Sequence, residues 1–118
     1  MPGRKEKTMA KVLWFSRHEM TSAQLGALEK KLGSVELTQV NKTVQHASEL
    51  AEEIAAADVV AIVAPIGLQA EFLRLAGEKP VIVALSERRQ IDPDNFEFVF
   101  LKWERLEKIE VVKSDFAV

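Results

Sequence analysis

Val59-Val-Ala-Ile-Val-Ala64, in the middle of the chain, is wholly apolar and largely β-branched, and this stretch decides the fold. A strand with no polar face is typical of the centre of a parallel sheet, because helices cover both of its faces. Apolar runs at residues 12–15 and 81–85 predict two further buried strands. The stretches between carry apolar residues at helical spacing and predict helices at residues 20–32, 44–57 and 67–76.

Three weaker segments complete the predicted sheet. Residues 35–40 alternate apolar and polar side chains, and residues 96–101 and 109–112 alternate charged with apolar ones, which favours peripheral antiparallel strands. Residues 86–95 are polar and predict a loop. Repeated strand–helix units followed by such strands predict an α/β fold, a three-layer Rossmann-like sandwich with a mostly parallel sheet and C-terminal antiparallel strands.

Composition limits the classes of function. With 118 residues the chain fits one domain, which we place at residues 9–118 after a flexible tail at 1–8. There is no cysteine and there are two histidines, so we expect no metal site; no glycine-rich dinucleotide or phosphate loop follows a strand, so we expect no cofactor. A net charge of −2 disfavours duplex nucleic acid as a partner. Without a spanning segment or a secretory signal, we expect a cytoplasmic protein that does not enter membranes.

Polar segments follow the predicted strands. They are Ser16-Arg-His-Glu19, Asn41-Lys-Thr43, Pro65-Ile-Gly67 and Ser86-Glu-Arg-Arg89. Ligands of open parallel sheets bind beyond the carboxyl ends of the strands, so these segments predict a site that brings together Arg17, Lys42, Arg88 and Arg89. Cations and helix amino termini suit a small phosphorylated ligand. The alternative is an ordinary polar surface, in which Glu19 and Glu87 pair with the arginines.

Individual residues of these segments carry different predictions. His18 is a candidate for proton transfer or phosphate contact, roles to which an imidazole is chemically suited, or else it is a surface histidine. Ser16 stands at a strand tip with no local motif to explain it. Thr21-Ser-Ala-Gln24 is a capping box, which predicts a structural role for Thr21 and Gln24 at the start of a helix.

Two families resemble parts of this sequence. Arg17-His18 resembles the Arg-His-Gly motif of histidine phosphatases, but Glu19 replaces the glycine and no second histidine follows a later strand. The stretch Val12-Leu-Trp-Phe-Ser16, with His18, Met20-Thr21 and Gln24, resembles the Ser-His-x-Leu-Thr-x-x-Gln opening of stand-alone CRISPR-accessory proteins of the Csx type. Here Arg17 is inserted and Met20 replaces the leucine. Lys79-Pro-Val-Ile-Val-Ala-Leu85 and residues 96–101 parallel that group's final strands.

The second resemblance implies a function. The Csx-type group is similar in fold to CARF domains and ring nucleases, Rossmann-like homodimers that bind cyclic oligoadenylate across their two-fold axis, some cleaving it without metal. It implies that Ser16 contacts phosphate or ribose, that His18 assists proton transfer, and that Arg88 or Arg89 stabilises developing charge. The remaining candidate ligand-binding residues are Arg17, Thr21, Gln24, Asn41, Lys42, Pro65, Gly67 and Ser86.

Three interpretations stay open at this stage. The first is a cyclic-oligonucleotide ring nuclease, and the second is a sensor or sponge that binds the same ligand without cleaving it. The third is a dimeric interaction module that uses the strands within residues 96–112, with Trp103 in the interface.

Overall fold

The computed structural model describes residues 9–109, 114 and 116. Its strands are β1 (Ala10–Phe15), β2 (Val35–Val40), β3 (Val59–Ile62), β4 (Val81–Asp92) and β5 (Asn95–Arg105). Its helices are α1 (Ser22–Leu32), α2 (Ala51–Ala56) and α3 (Ile66–Ala76), and a single 3₁₀ turn (Ala47–Leu50) leads into α2.

The strands form one mixed sheet in the order β2-β1-β3-β4-β5. Neighbours among the first four are parallel, and β5 runs antiparallel to β4. The predicted class is therefore confirmed as an α/β sheet that is mostly parallel with a C-terminal antiparallel strand. The chain moves outward from β1 to β2 and then returns to place β3 on the other side of β1. The boundary between β1 and β3 is therefore the point where strand order reverses.

Two apolar cores lie on opposite faces of the sheet. Leu13 and Phe15 pack toward α2 and α3, around the fully buried Phe72. Their neighbours Val12 and Trp14 point to the other face and pack with Leu28 of α1, forming what we call the α1-side core. Because successive side chains of a strand alternate between faces, a strand covered on both sides has to be apolar throughout. This is the reason for the unbroken apolar run that begins at Val59.

The ends of α1 follow the local signals in the sequence. The Thr21 hydroxyl accepts a hydrogen bond from the Gln24 backbone N–H at 3.1 Å, and the Gln24 side chain accepts one from the Thr21 N–H at 3.0 Å. Gly33 ends the helix with a φ of 82°, a left-handed value that glycine adopts without steric cost. The predicted capping box is confirmed.

Replacing Thr21 by alanine is expected to lower the free energy of unfolding by about 1 kcal/mol, because one helix N–H loses its acceptor. Urea unfolding followed by circular dichroism measures the loss. Ser22→Ala is the matched control, since Ser22 is already inside the helix and makes no cap hydrogen bond; we expect it to change stability by less than about 0.5 kcal/mol. Equal losses in the two variants would show that the capping hydrogen bond contributes nothing.

The helix predicted at residues 44–57 is shorter than expected. The Glu49 carboxylate accepts hydrogen bonds from the backbone N–H groups of Gln45 and His46, and Glu71 accepts one from Ala47 at 2.8 Å. These contacts hold residues 45–46 outside the helix, and His46 precedes the 3₁₀ turn. The same backbone hydrogen bonds, from His46 and then Gln45, lower the pKa of Glu49.

The prediction of a polar loop at residues 86–95 is wrong. β4 continues to Asp92, and Pro93-Asp94 forms a tight turn into β5. The Asp92 carboxylate accepts from the Asp94 N–H and the Asn95 side chain, which stabilises the turn. The strand predicted at 96–101 is confirmed and extends to Arg105. A strand was also predicted at residues 109–112, and of these Ile109 lies outside any strand. Residues 110–112, like the predicted tail at residues 1–8, lie outside the described residues.

The long hairpin leaves the sheet. β3 pairs with β4 only at Val81 and Ile82, so beyond that point β4 is paired with β5 alone. Residues 86–100, which we call the hairpin arm, therefore project past the carboxyl edge of the sheet. Across the part of the chain that the structure describes, none of the helices has the length and apolar character needed to cross a membrane.

Candidate functional site

A pocket of about 320 Å³ opens at the carboxyl edge of the sheet, where β1 and β3 end side by side. We call it the switch-point pocket, because strand order reverses there. Its lining comes from the segments that follow β1, β2 and β3, namely Phe15, Ser16, Arg17, His18, Lys42, Thr43, Val44, Val63, Pro65 and Leu68. The chain leaving β1 turns toward α1 on one face, and the chain leaving β3 turns toward α3 on the other. Their divergence opens the crevice.

The structure brings together five of the predicted site residues, and it places the others elsewhere. Ser16, Arg17, His18, Lys42 and Pro65 line the pocket. Thr21 and Gln24 cap α1, while Asn41 and Gly67 flank lining residues without belonging to the lining. Ser86, Arg88 and Arg89 lie on the hairpin arm.

The two arginines of the arm have partners within it. The Arg88 guanidinium lies over the Phe96 ring, 3.8 Å from its centroid, and the Arg89 Nε donates to the Glu87 carboxylate at 3.0 Å. The alternative in which Glu87 pairs with a neighbouring arginine is thus confirmed for Arg89. The prediction that Arg88 and Arg89 lie beside Ser16 and His18 is wrong within a single chain, because β4 does not end at Leu85 but continues to Asp92. Every further residue of the strand moves the side chains about 3.3 Å from the edge.

Ser16 has a local role that its sequence context did not indicate. Its side chain is nearly buried, and its hydroxyl oxygen accepts a hydrogen bond from the His18 backbone N–H at 3.1 Å. Serine commonly closes a turn in this way. The hydroxyl proton of Ser16 has no acceptor among the described residues, so it remains available as a donor into the pocket.

Gln39 is a residue of the site that sequence reasoning missed. Its side-chain amide donates to the backbone carbonyls of Ser16 and His18, both at 3.0 Å, and the Trp14 indole donates to the His18 carbonyl at 2.9 Å. Together they fix the segment that carries Arg17 and His18. The sequence held a signal for this role of Gln39. Gln39 lies on the same face of β2 as Val35 and Leu37, at a position where the alternation predicts a third apolar residue.

The pocket has a positive lining. Arg17 hydrogen-bonds through its guanidinium to the Thr43 hydroxyl, which ties the segment after β1 to the segment after β2. Lys42 is exposed and makes no ion pair among the described residues, and Glu19 forms none with Arg17 there. The lining contains no carboxylate. Two cations in a lining without a carboxylate favour an anion in this space.

The amino terminus of α3 adds to this field. Pro65 precedes the helix and lines the pocket, and no side chain caps the helix there. The first N–H groups of a helix have no partner inside it and carry a partial positive charge. Val63, Pro65 and Leu68 give the same wall an apolar surface, and Val63 is 56% exposed. The arrangement can hold a negatively charged group beside a flat apolar one.

Within residues 9–109 and the two described residues beyond them, no cluster of three or more acidic or histidine side chains is placed to hold a metal ion. Comparisons of this chain with protein-family models, with curated proteins and with solved structures found no match.

Proposed function

We propose that the switch-point pocket binds a phosphorylated nucleotide ligand of the cyclic oligonucleotide class, with cyclic oligoadenylate as the member that the sequence resemblance suggests. The observation that carries this proposal is the lining itself: Arg17 and Lys42 without an acidic residue, beside the uncapped start of α3. Phosphate would sit among the cations and helix N–H groups. A base would pack on Val63, Pro65 and Leu68.

The volume of the pocket bears on the size of the ligand. At about 320 Å³ it is near the lower end of small-molecule pockets, which run from about 300 to 1,000 Å³. Such a space suits one nucleotide unit of a ring. A ring of several nucleotides would therefore extend beyond one chain, which supports the homodimer that the resemblance implies, with two pockets sharing one ligand.

Binding without cleavage is the first candidate, because two of the four predicted catalytic residues lie outside the pocket. In metal-independent cleavage, a ribose 2′-hydroxyl attacks the adjacent phosphate, and cations must stabilise the charge that develops. The arginines to which the resemblance assigns this role, Arg88 and Arg89, are held by Phe96 and Glu87 on the arm of the same chain. Cleavage stays as the second candidate, because His18 lines the pocket beside the free hydroxyl proton of Ser16.

Calorimetric titration with cyclic tetra-adenylate and cyclic hexa-adenylate, without divalent metal, tests the proposal. We expect binding that weakens by about 10- to 150-fold in Lys42→Ala or Arg17→Ala, because a charge-assisted contact contributes about 1.5–3 kcal/mol. Lys30→Ala is the matched control, since Lys30 is an exposed cation on α1 outside the pocket, and we expect it to bind as wild type. The absence of heat and of thermal stabilisation with both rings would contradict the proposal.

Chromatography of the same mixtures separates sensor from nuclease. A sensor leaves the ring intact. A nuclease releases shorter products, and His18→Ala then abolishes product while the ring still binds.

A further inference from the structure

Within residues 9–109, the hairpin arm is a two-stranded ribbon with no third strand beside it. Beyond Val81 and Ile82 no third strand pairs with it among the described residues. An isolated hairpin is marginally stable in water, and a third strand or a packed layer is needed for stability. The seven residues from Ser86 to Asp92 extend it by roughly 20 Å. Something other than the described residues is needed to cover it.

One face of the arm is aromatic. Ile82 packs in the α1-side core, and alternate residues of β4 share its face, so Ser86, Arg88 and Gln90 lie on that side. Their partners across the ladder are Phe100, Phe98 and Phe96, which we call the aromatic stripe.

The aromatic stripe continues the α1-side core into solvent. Phe100 contacts Trp103, with ring centroids 5.6 Å apart, and Trp103 contacts the buried Trp14 at 5.8 Å. Farther out, Phe98 is 75% exposed and Phe96 46%. A contiguous exposed apolar patch of this kind marks an interaction surface.

A cavity of about 340 Å³ lies at the base of the arm, between α1 and β5, and we call it the basal cavity. Trp103 and Ile82 line it, together with the cations Lys31, Lys102 and Arg105, and no carboxylate is part of its lining. Val59 and Pro80 also line it, so it lies toward the amino ends of β3 and β4. The tip of the arm projects from the opposite edge of the sheet and therefore cannot reach the basal cavity of its own chain.

The tip of the arm is acidic. Asp92 and Asp94 are exposed there, and Glu97, also exposed, pairs with Arg89 on the face opposite the aromatic stripe. Hydrogen bonds from the Asn95 side chain and the Asp94 backbone lower the pKa of Asp92, so this carboxylate stays ionised. The tip is therefore negatively charged, whereas the basal cavity is lined by cations without a carboxylate.

We infer that a second copy of this chain covers the arm, with the two aromatic stripes packed face to face and the arms antiparallel about a two-fold axis. With the axis near residue 99, Asp94 lies five residues toward the tip and the basal-cavity cation Arg105 lies six residues toward the base, roughly 16 and 20 Å from the axis. Antiparallel packing then places each acidic tip against the base of the other copy. The contact is self-complementary, as a two-fold interface must be. It requires no nucleotide and goes beyond the proposed function.

Sedimentation analysis of the full chain without ligand tests the inference. Wild type is expected to be a dimer, and Phe98→Asp a folded monomer at the same concentration, with at least about a 100-fold weaker dimer, because two buried aromatic anchors are lost. Leu75→Asp is the matched control: Leu75 is 40% exposed near the C-terminal end of α3, on the other face of the sheet and away from the switch-point pocket, and its replacement should leave the dimer intact. A monomeric wild type, as would follow if residues 110–118 of the same chain covered the stripe, overturns the inference. A dimeric Phe98→Asp does so too.

Charge reversal tests the antiparallel arrangement. One chain carries Asp94→Lys, and the other carries Lys31→Glu and Lys102→Glu. The homodimer of either variant has like charges at both tip-to-base contacts, so we expect it to dissociate. Mixed, they restore opposite charges at both contacts and are expected to form a heterodimer. Two variants that dimerise alone, or a mixture that stays monomeric, would overturn the arrangement.

Discussion

Replacing Phe72 by alanine is expected to lower the free energy of unfolding by about 3–5 kcal/mol. Phe72 is fully buried in the core under α3, and its ring lies 5.2 Å from that of Phe15 at the end of β1. Removing the ring loses its transfer free energy and leaves a cavity between helix and sheet. Since domains of this size are stable by about 5–15 kcal/mol, this loss is a large part of the total.

Urea unfolding at fixed protein concentration measures this change. Phe116→Ala is the matched control, because Phe116 is 93% exposed and the same atoms are removed without a cavity. We expect the control to change stability by no more than about 0.5 kcal/mol. A loss in Phe72→Ala below about 1 kcal/mol would mean that α3 does not pack on β1 through this side chain.

Replacing Trp14 by alanine is expected to cost a similar amount, about 3–5 kcal/mol, and to disturb the switch-point pocket as well. The Trp14 indole is 2% exposed, packs edge to face on Trp103, and donates to the His18 carbonyl. Its loss removes core volume and one of the two donors that hold the segment carrying Arg17 and His18.

Trp14→Phe separates these two effects. It keeps most of the apolar volume and removes the N–H, and Gln39 still donates to the His18 carbonyl, so the expected cost falls to about 1 kcal/mol. Unfolding is followed by circular dichroism, because only Trp103 remains fluorescent in either variant. Equal costs in Trp14→Ala and Trp14→Phe would show that the hydrogen bond, and not packing, dominates at this position.

The fold was largely predictable because its signals are local. The apolar runs at residues 12–15 and 59–64 predicted the two central strands, and the capping box of Thr21 and Gln24 predicted the start of α1. That helix also ends at residue 32, as predicted, and Gly33 follows it. In each case the pattern depends only on which side chains are buried, or on hydrogen bonds within a few residues.

The length of β4 was not predictable by the same means. Ser86-Glu-Arg-Arg-Gln90 is polar and has little β-propensity, so by itself it indicates a loop. It is a strand because β5 supplies hydrogen-bonding partners and an aromatic face along its whole length. The misplacement of Arg88 and Arg89 follows directly from that missed pairing.

The candidate site was also predictable only in part. The segments after β1, β2 and β3 were predicted to meet, and the positions of Ser16, Arg17, His18 and Lys42 in one pocket follow from the strand ends. The clamp made by Gln39 and Trp14 was not predicted, because a glutamine amide on one strand and an indole on another find the same carbonyl only after the strands have paired.

The sequence by itself determined the α/β class, most helix boundaries and the edge of the sheet at which the pocket opens, since each depends on periodic burial or on short-range hydrogen bonds. Only the tertiary structure decided which strand tips share a pocket and that the last two strands leave the sheet as an arm. Those outcomes depend on pairing between segments far apart in the chain. Such pairing follows from the complementarity of whole surfaces, which no short stretch of sequence contains.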